Sequence, residues 1–426
     1  MSRTLVCAIQ IGTSRICSAA AWRDQYGNYE IAAIEAEPSQ GCVHKGCIED
    51  IDKAASIIKN LVSKLSARVK NNECRGIDAA YVGVNGLSMH GHPHSPMIDL
   101  EEGKSVNTEV TSELRQLSNQ YHIQGYDVLG LEVQNYNLDG IDCLNPIGRT
   151  GGQLMANHLL VVAQQRIRFA VRSAMAKAGV RLMGIIATPL TVGNILTPDE
   201  KQRGCALVDI GHSLTSVSIY SEGALKHLAT IPFGGNSVTM DIAAAKNISL
   251  EEAEKVKICQ EELDIVSQCR YEEIIYNVLN QILISGTKER LAAGCVLTGG
   301  AALQRGLVAL VGERLGISRI QARGYSGICF GLSDRRPQLS SLTSMVGQCV
   351  LDCQIQEEKE EVKPVVAAPI STPVVEEKPK PEVVVERPKV VEAQKEVIEE
   401  VKEERRSSVR SGFGRFFRDL ISGQDD

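Results

Sequence analysis

The chain opens with short apolar runs separated by turn residues. The runs are Leu5–Ile11, Arg15–Trp22 and Tyr29–Ala36, and small or polar residues fill the turns between them. This pattern predicts a β-meander. In Asp52–Val69 the apolar positions recur every three to four residues, which predicts a helix with Asp50 or Asp52 as its N-cap. We therefore expect strands covered by a helix.

The same order of elements returns in the second half of the chain. Residues 11–14 (Ile-Gly-Thr-Ser) follow the first apolar run, and residues 210–213 (Ile-Gly-His-Ser) follow the apolar run Cys205–Asp209. Two hairpins of one plan predict a duplicated α/β body with a cleft between its halves. The alternative is a chance match of a short pattern.

The apolar pattern ends at about residue 353. Residues 354–408 are rich in Glu, Lys, Pro and Val, contain six of the 14 prolines and have no aromatic residue. Such a composition cannot form a packed core, so it predicts a disordered linker. A flexible chain of this length spans roughly 40 Å on average.

The last residues, 409–426, return to a helical period. Their apolar side chains recur along one face: Val409, Phe413, Phe416, Phe417, Leu420 and Ile421. The other side carries Arg410, Arg415 and Arg418. The pattern predicts an amphipathic helix that lies on an anionic membrane surface. Docking into the groove of another protein needs the same stripe and is the alternative.

Composition excludes some classes of function. The chain has 426 residues, 43% of them hydrophobic, and a net charge of −6, so no general basic field favours a nucleic-acid partner. Its 13 cysteines are scattered without a C-x-x-C pair, which favours reduced thiols and the cytoplasm. The N-terminus lacks the apolar core of a signal peptide, and no apolar run is long enough to span a bilayer. We therefore expect any membrane contact to be peripheral.

Three glycine-containing turns carry the candidate chemistry. Residues 12–14 offer backbone N–H groups and two hydroxyls to an anion. Asp209, at the end of a strand before Gly211, suits a hydrated Mg²⁺. The strand at 295–298 enters two glycines and then a helix through about Val311, which allows a nucleoside to lie on the main chain. Taken alone, each turn has an ordinary alternative. The first suits a common hairpin, the second a solvent-facing aspartate, and the third a general strand-to-helix connection.

Taken together and in this order, the turns resemble the two phosphate loops and the adenosine loop of the actin/Hsp70/sugar-kinase superfamily. Within it the chain is similar to the FtsA family, on the residue stretches 36–41, 45–46, 145–148, 231–236, 241–243 and 296–302. The resemblance implies an α/β, actin-like fold: duplicated ribonuclease-H-like β-sheet domains around a nucleotide cleft, with a relocated small subdomain. It also implies ATP and Mg²⁺ as cofactors.

The resemblance implies a division into subdomains as well. Subdomain 1A takes residues 1–84, 164–202 and about 325–353, and the inserted subdomain 1C takes 85–163. Subdomain 2A takes 203–245 and 289–324, and a short subdomain 2B takes 246–288.

The nucleotide-binding residues implied by the resemblance are Gly12, Thr13, Ser14, Asp209, Gly211, Gly234, Gly235, Glu254, Lys257, Gly299, Gly300 and Ala301. Asp209 is expected to hold Mg²⁺ through water. Glu254 and Lys257 lie three apart on one helical face, where they are expected to reach ribose hydroxyls and adenine edges. A solvated ion pair is the alternative for these two.

The sequence departs from the superfamily pattern in two places. Gln10 stands where the superfamily usually has an acidic residue, and His212, Ser213 and Leu214 replace the expected glycine pair and threonine. Losing a charge that acts in the transition state slows catalysis strongly. The sequence therefore predicts an ATP-binding switch with weak or no ATPase activity, and no catalytic residue is assigned.

The resulting hypothesis is an actin-like adaptor that polymerises at the cytoplasmic face of the inner membrane, at the division septum. Its expected partners are the FtsZ C-terminal peptide, further copies of itself, the anionic inner membrane and other division proteins. Membrane contact is expected from Phe413, Phe416, Phe417, Leu420, Ile421, Arg415 and Arg418. Two alternatives remain: a small-molecule kinase, for which no acidic base is evident, and an actin-like component of a pilus or secretion platform.

The resemblance places the FtsZ peptide on residues 246–288. Arg270 and Tyr271 are the candidates there, at the expected start of a helix whose Ile274, Val278 and Ile282 should face the core. Arg270 is expected to pair with an acidic side chain of the peptide, and Tyr271 to supply contact area. The alternative is a surface arginine paired with Glu273 or Glu261.

Overall fold

A computed structural model describes residues 3–70, 74–101, 103–326, 329–330 and 337–355. The predicted linker lies almost entirely outside these residues, and the predicted amphipathic helix lies wholly outside them. No helix in the described part of the chain is both long enough and apolar enough to cross a membrane.

The strands of the described residues are, in chain order, β1 (Thr4–Ile11), β2 (Arg15–Arg23), β3 (Tyr29–Pro38), β4 (Val43–His44), β5 (Cys47–Ile48), β6 (Ala79–Val84), β7 (His90–His94), β8 (Met97–Asp99), β9 (Tyr126–Leu138), β10 (Ile141–Cys143), β11 (Gln153–Gln164), β12 (Arg181–Ala187), β13 (Cys205–Ile210), β14 (Thr215–Ser221), β15 (Ala224–Ile231), β16 (Gly294–Thr298), β17 (Ile320–Ala322) and β18 (Cys329–Phe330).

The α-helices are α1 (Ile51–Val69), α2 (Thr108–Asn119), α3 (Gln165–Ala178), α4 (Thr188–Val192), α5 (Pro198–Arg203), α6 (Gly235–Lys246), α7 (Leu250–Cys259), α8 (Ile265–Ile284), α9 (Leu307–Leu315) and α10 (Ser340–Val346). Short 3₁₀ turns occupy Gly193–Ile195, Lys288–Arg290, Gly300–Leu303 and Pro337–Leu339.

The first sheet has the strand order β12-β6-β1-β2-β3-β18. Its β1–β2–β3 part is an antiparallel meander, as the sequence predicts. Helix α1 covers it and buries the apolar face that its period indicates. Asp50 is the N-cap and accepts a hydrogen bond from the Lys53 backbone at 3.0 Å. We call this sheet, with α1, α3, α4 and α10, the first lobe.

Strands β7 to β11 form a second sheet of their own, in the order β10-β9-β11-β7 with β8 beside β11. Its pairings are antiparallel. Helix α2 packs on it around Leu114, and a small separate core includes Leu138 and Leu154. We call this part the inserted sheet.

The third sheet has the order β15-β14-β13-β16-β17 and, with α6 to α9, forms the second lobe. Strand β13 pairs antiparallel with β14 and parallel with β16, just as β1 pairs with β2 and β6. The predicted repetition of one plan is therefore confirmed. Along β13, Cys205 and Leu207 join the core shared with the first lobe, whereas Ala206 and Val208 join the core under the helices.

Two helix starts differ from the sequence prediction. After Gly299 the chain forms a 3₁₀ turn, and α9 begins only at Leu307 because Gly306 adopts a left-handed conformation, φ +80°. Helix α8 begins four residues before Cys269, because Asp264 caps it by accepting from the Ser267 backbone at 2.9 Å. The predicted inward face of α8 is confirmed, since Ile274, Val278 and Ile282 are buried.

Candidate functional site

A cleft of about 530 Å³ lies between the two lobes. This volume falls within the roughly 300–1,000 Å³ typical of small-molecule sites. The predicted residues that line it are Gln10, Gly12, Thr13, Ser14, Asp209, Gly211, Gly235, Glu254, Lys257, Gly299, Gly300 and Ala301. Gly234 lies behind the wall, at the start of α6. The structure thus brings the three turns together.

The first turn is fixed from behind. A Cβ on Gly12 would lie 2.6 Å from the Arg15 carbonyl oxygen, so only glycine fits this hairpin. Ser39 holds the turn on its far side, since its hydroxyl donates to the Thr13 carbonyl and its backbone N–H donates to the Ser14 carbonyl at 3.0 Å. The backbone N–H groups and hydroxyls of the turn are therefore held in a defined position beside the cleft.

The second turn meets the first across the cleft. The Ser213 hydroxyl donates to Thr13 Oγ1 at 2.7 Å, so the two hydroxyls lie side by side. Helix α6 starts on the same turn, because the Gly235 N–H donates to the Gly211 carbonyl at 2.9 Å. A Cβ on Gly234 would lie 2.6 Å from that carbonyl oxygen, which explains the glycine there. The start of α6 and both turns thus form one unit.

Asp209 is the carboxylate that lines the cleft beside Gly299. Its Oδ2 accepts from the Ser341 hydroxyl at 3.2 Å, and burial raises the pKa of Asp209 to about 6. Gly299 packs against it, with φ +87° and an added Cβ only 2.3 Å from Oδ1. In the described residues no group of three or more His, Cys, Asp or Glu could itself hold a metal ion. A lone carboxylate suits Mg²⁺ held mainly by water and phosphate oxygens.

The third turn presents bare backbone to the cleft. An added Cβ on Gly300 would have no atom within 4 Å, in contrast to Gly299 beside it. Ala301 lies beside Gly235 on the second-lobe side of the cleft, with its Cβ 3.7 Å from where a Cβ on Gly235 would stand. A flat ligand can therefore approach the main chain at Gly300 without meeting a side chain.

Lys257 is more enclosed than the sequence indicates. It is 8% exposed, and its ammonium donates to the Gly235 carbonyl at 3.1 Å, to Thr239 Oγ1 at 2.8 Å and to Glu254 Oε2 at 2.7 Å. An ammonium has three donors, and all three are used. In this arrangement the ammonium of Lys257 has no donor left for ribose or adenine, and it positions Glu254 and the start of α6.

Glu254 remains available to a ligand. Its Oε2 accepts from Lys257 and from the Thr239 hydroxyl, while no partner is found for its Oε1 among the described residues. Burial opposes ionisation, but these hydrogen bonds outweigh it and lower the pKa of Glu254. The carboxylate is thus charged at neutral pH. His212 stands nearby in the second turn, and burial lowers the pKa of its imidazole.

The two candidates for the FtsZ peptide need correction. Arg270 lies in the first half of α8, and its guanidinium already binds Asp241 at 2.5 and 3.0 Å and pairs with Glu273. The alternative pairing with Glu273 is therefore the one observed. Tyr271 is fully buried in the second-lobe core and reaches the cleft wall. It offers no contact area to another protein, so that prediction is wrong.

The sequence does not indicate the polar contacts between the lobes at the cleft, and two of them serve as examples. Asn85 Nδ2 donates to the Ser216 hydroxyl at 2.7 Å, and Ser341 reaches Asp209 from α10. In each of these pairs, the two residues are more than a hundred positions apart in the chain. No local pattern identifies such pairs.

The chain is similar in sequence to proteins of one named family. The sequence model of the family described as Cell division protein FtsA matches residues 206–342. Cell division protein FtsA of Porphyromonas gingivalis is 28% identical over 351 residues, which cover 74% of this chain and 72% of that protein. The protein of the same name from Pseudomonas aeruginosa is 26% identical over 344 residues, covering 73% and 81%.

Among solved structures, the PilM-PilN type IV pilus biogenesis complex contains a chain that matches with a TM-score of 0.54 at 16% identity. The match covers 80% of this chain and 98% of that one, and it supports the fold alone. Taken with the duplicated hairpins and the cleft between them, these matches show that the chain is similar to the FtsA cell division proteins and has an actin-like fold.

Proposed function

We propose that the chain binds ATP with Mg²⁺ in the cleft and works as a nucleotide-dependent division adaptor. The observation that carries the proposal is the meeting of three glycine turns in one cleft, with open backbone at Gly300. Turns of this kind bind phosphate through backbone N–H groups and admit a nucleoside close to the main chain.

Each part of the ligand has residues to hold it. Residues 12–14 and 211–213 would hold the phosphates with N–H groups and hydroxyls. Asp209 would hold Mg²⁺ through water, and the bound ion would neutralise phosphate charge. Gly300 and Ala301 would lie under the nucleoside, and Glu254 Oε1 would accept from it.

Turnover of the bound nucleotide is expected to be slow. Gln10 lines the cleft and supplies no charge, and the depressed pKa of His212 favours a neutral imidazole near the phosphate turns. Asp209 is the carboxylate that remains at this end. An ATP site with so little charge to stabilise a transition state suits a switch.

The proposed cellular role is to polymerise at the inner membrane face, hold the FtsZ ring there and attach through residues 409–426. The similarity to FtsA proteins and the apolar and basic pattern of those residues support it. For the FtsZ C-terminal peptide we retain residues 246–288. There Tyr276 on α8 is exposed and offers the aromatic surface that Tyr271 lacks.

The test of the cleft is calorimetry with Mg-ATP. Gly300→Trp should abolish binding, because its indole would fill the space over the open backbone. Gly152→Trp, at the exposed bend just before β11, is the matched control and should bind as wild type does. Unchanged affinity of Gly300→Trp would exclude this site.

The test of the membrane role is sedimentation with anionic and neutral liposomes. Full-length protein should pellet with anionic liposomes, and protein ending at residue 408 should stay in the supernatant. Equal behaviour of the two proteins would remove the tail from the proposal.

A further inference from the structure

Tyr271 presents an unexplained polar group. Its hydroxyl is buried and has no hydrogen-bond partner among the residues that the structure describes. Burying an unpaired hydroxyl is unfavourable, and buried polar groups are nearly always paired. A phenylalanine would fill the same space without this penalty. We therefore expect the hydroxyl to form a hydrogen bond with a group outside the described protein residues.

The position of the ring indicates where that partner enters. Tyr271 lies on α8, which packs against α6, and it is one of the residues that line the cleft. Glu254 and Lys257 lie in the same wall. Burial raises the pKa of the Tyr271 phenol, and the Glu254 charge adds to the effect, so the group stays neutral and keeps its proton to donate.

The other polar groups of this wall are already engaged. Lys257 has used its three donors, and the Thr239 hydroxyl lies between Lys257 and Glu254. Two groups remain for a ligand: Glu254 Oε1 as an acceptor and the Tyr271 hydroxyl as a donor or acceptor. Such a pair matches a sugar hydroxyl, which both donates and accepts.

We propose that the Tyr271 hydroxyl, together with Glu254, binds a sugar hydroxyl of the nucleotide and so favours a ribonucleotide over its deoxy form. This inference rests on the proposed nucleotide function of the cleft. The hydroxyl is covered in the present arrangement, so contact requires the wall to shift as the ligand enters. The Glu254 side chain, 41% exposed, is freer to move than that of Lys257, at 10%.

Calorimetry on the full-length protein tests the proposal with ATP, 2′-deoxy-ATP and 3′-deoxy-ATP. Tyr271→Phe should bind ATP about 3- to 10-fold more weakly, the value of one neutral hydrogen bond. It should also lose the discrimination against one of the two deoxy analogues, since both changes remove the same contact. Thermal unfolding of Tyr271→Phe should show no loss of stability.

Tyr29→Phe is the matched control. The Tyr29 hydroxyl donates to the Cys349 carbonyl at 2.9 Å in the first lobe, so its removal should lower stability and leave nucleotide affinity unchanged. Equal ATP affinity of wild type and Tyr271→Phe would overturn the inference, and so would equal weakening of ATP and both deoxy analogues. If wild type bound none of the three nucleotides, both the proposed nucleotide function and this inference would fail.

Discussion

Replacing Asp209 with asparagine removes the carboxylate that lines the described cleft beside Gly299. Burial raises the pKa of Asp209 from its ordinary 3.8 to about 6, so above pH 6 the protein holds a charge that folding disfavours. At 1.36 kcal/mol per pKa unit, this pKa difference lowers the free energy of unfolding by at most about 3 kcal/mol. Asparagine keeps an oxygen to accept from Ser341 and carries no charge. We therefore expect Asp209→Asn to be more stable than wild type at pH 8.

The sign of the pH dependence follows from the same pKa. A carboxyl whose pKa is raised on folding contributes stability that is present below its unfolded pKa and is lost as the pH rises through about 6. The gain in the free energy of unfolding of Asp209→Asn over wild type should thus be largest at pH 8 and should become smaller as the pH falls toward 4.

Urea unfolding of both proteins between pH 5 and pH 8, without nucleotide, measures this difference. Asp52→Asn, at an exposed ion pair with Lys177, is the control and should change the free energy of unfolding by no more than about 0.5 kcal/mol. Mg-ATP should then stabilise wild type more than Asp209→Asn, because only wild type offers the carboxylate. An asparagine variant that is less stable than wild type at pH 8 would refute the reasoning.

Three further predictions concern other parts of the cleft and second lobe. Gly299→Ala should lose about 1–3 kcal/mol in urea unfolding, since its φ is +87° and its Cβ would meet Asp209, whereas Gly300→Ala should unfold like wild type. Arg270→Glu should lose about 1–3 kcal/mol, because a third carboxylate would join Asp241 and Glu273; unchanged stability would contradict the observed pairing. Phosphate-release assays should give ATP turnover below about 1 s⁻¹, and faster turnover would contradict a switch.

The parts of the fold that sequence predicts correctly are those decided over short distances. The β1–β2–β3 meander follows from apolar runs and turn residues, and α1 follows from a helical period with Asp50 as its cap. The repeated hairpin at β13 is visible because the same turn chemistry occurs twice. Local propensity and tertiary packing agree at these places.

The parts that sequence does not predict depend on distant partners. The i, i+3 spacing of Glu254 and Lys257 indicates a pair, but only the fold shows that Thr239 and Gly235 take the remaining donors of the ammonium. Tyr271 is equally compatible with a surface or a core position until α8 is placed against the second-lobe sheet. Long-range packing decides both cases, and a helical period alone does not show which neighbours a face will meet.

The hydrogen bond between Ser213 and Thr13 joins residues 200 positions apart, one from each lobe. A ligand held by both turns therefore has an affinity that depends on how far apart the lobes stand. By thermodynamic reciprocity, any partner that binds better to separated lobes must lower the affinity for the ligand. The ligand must lower the affinity for that partner by the same factor. A partner that distinguishes the two spacings, such as the proposed filament neighbour or membrane surface, would then change nucleotide affinity measurably even when it binds far from the cleft.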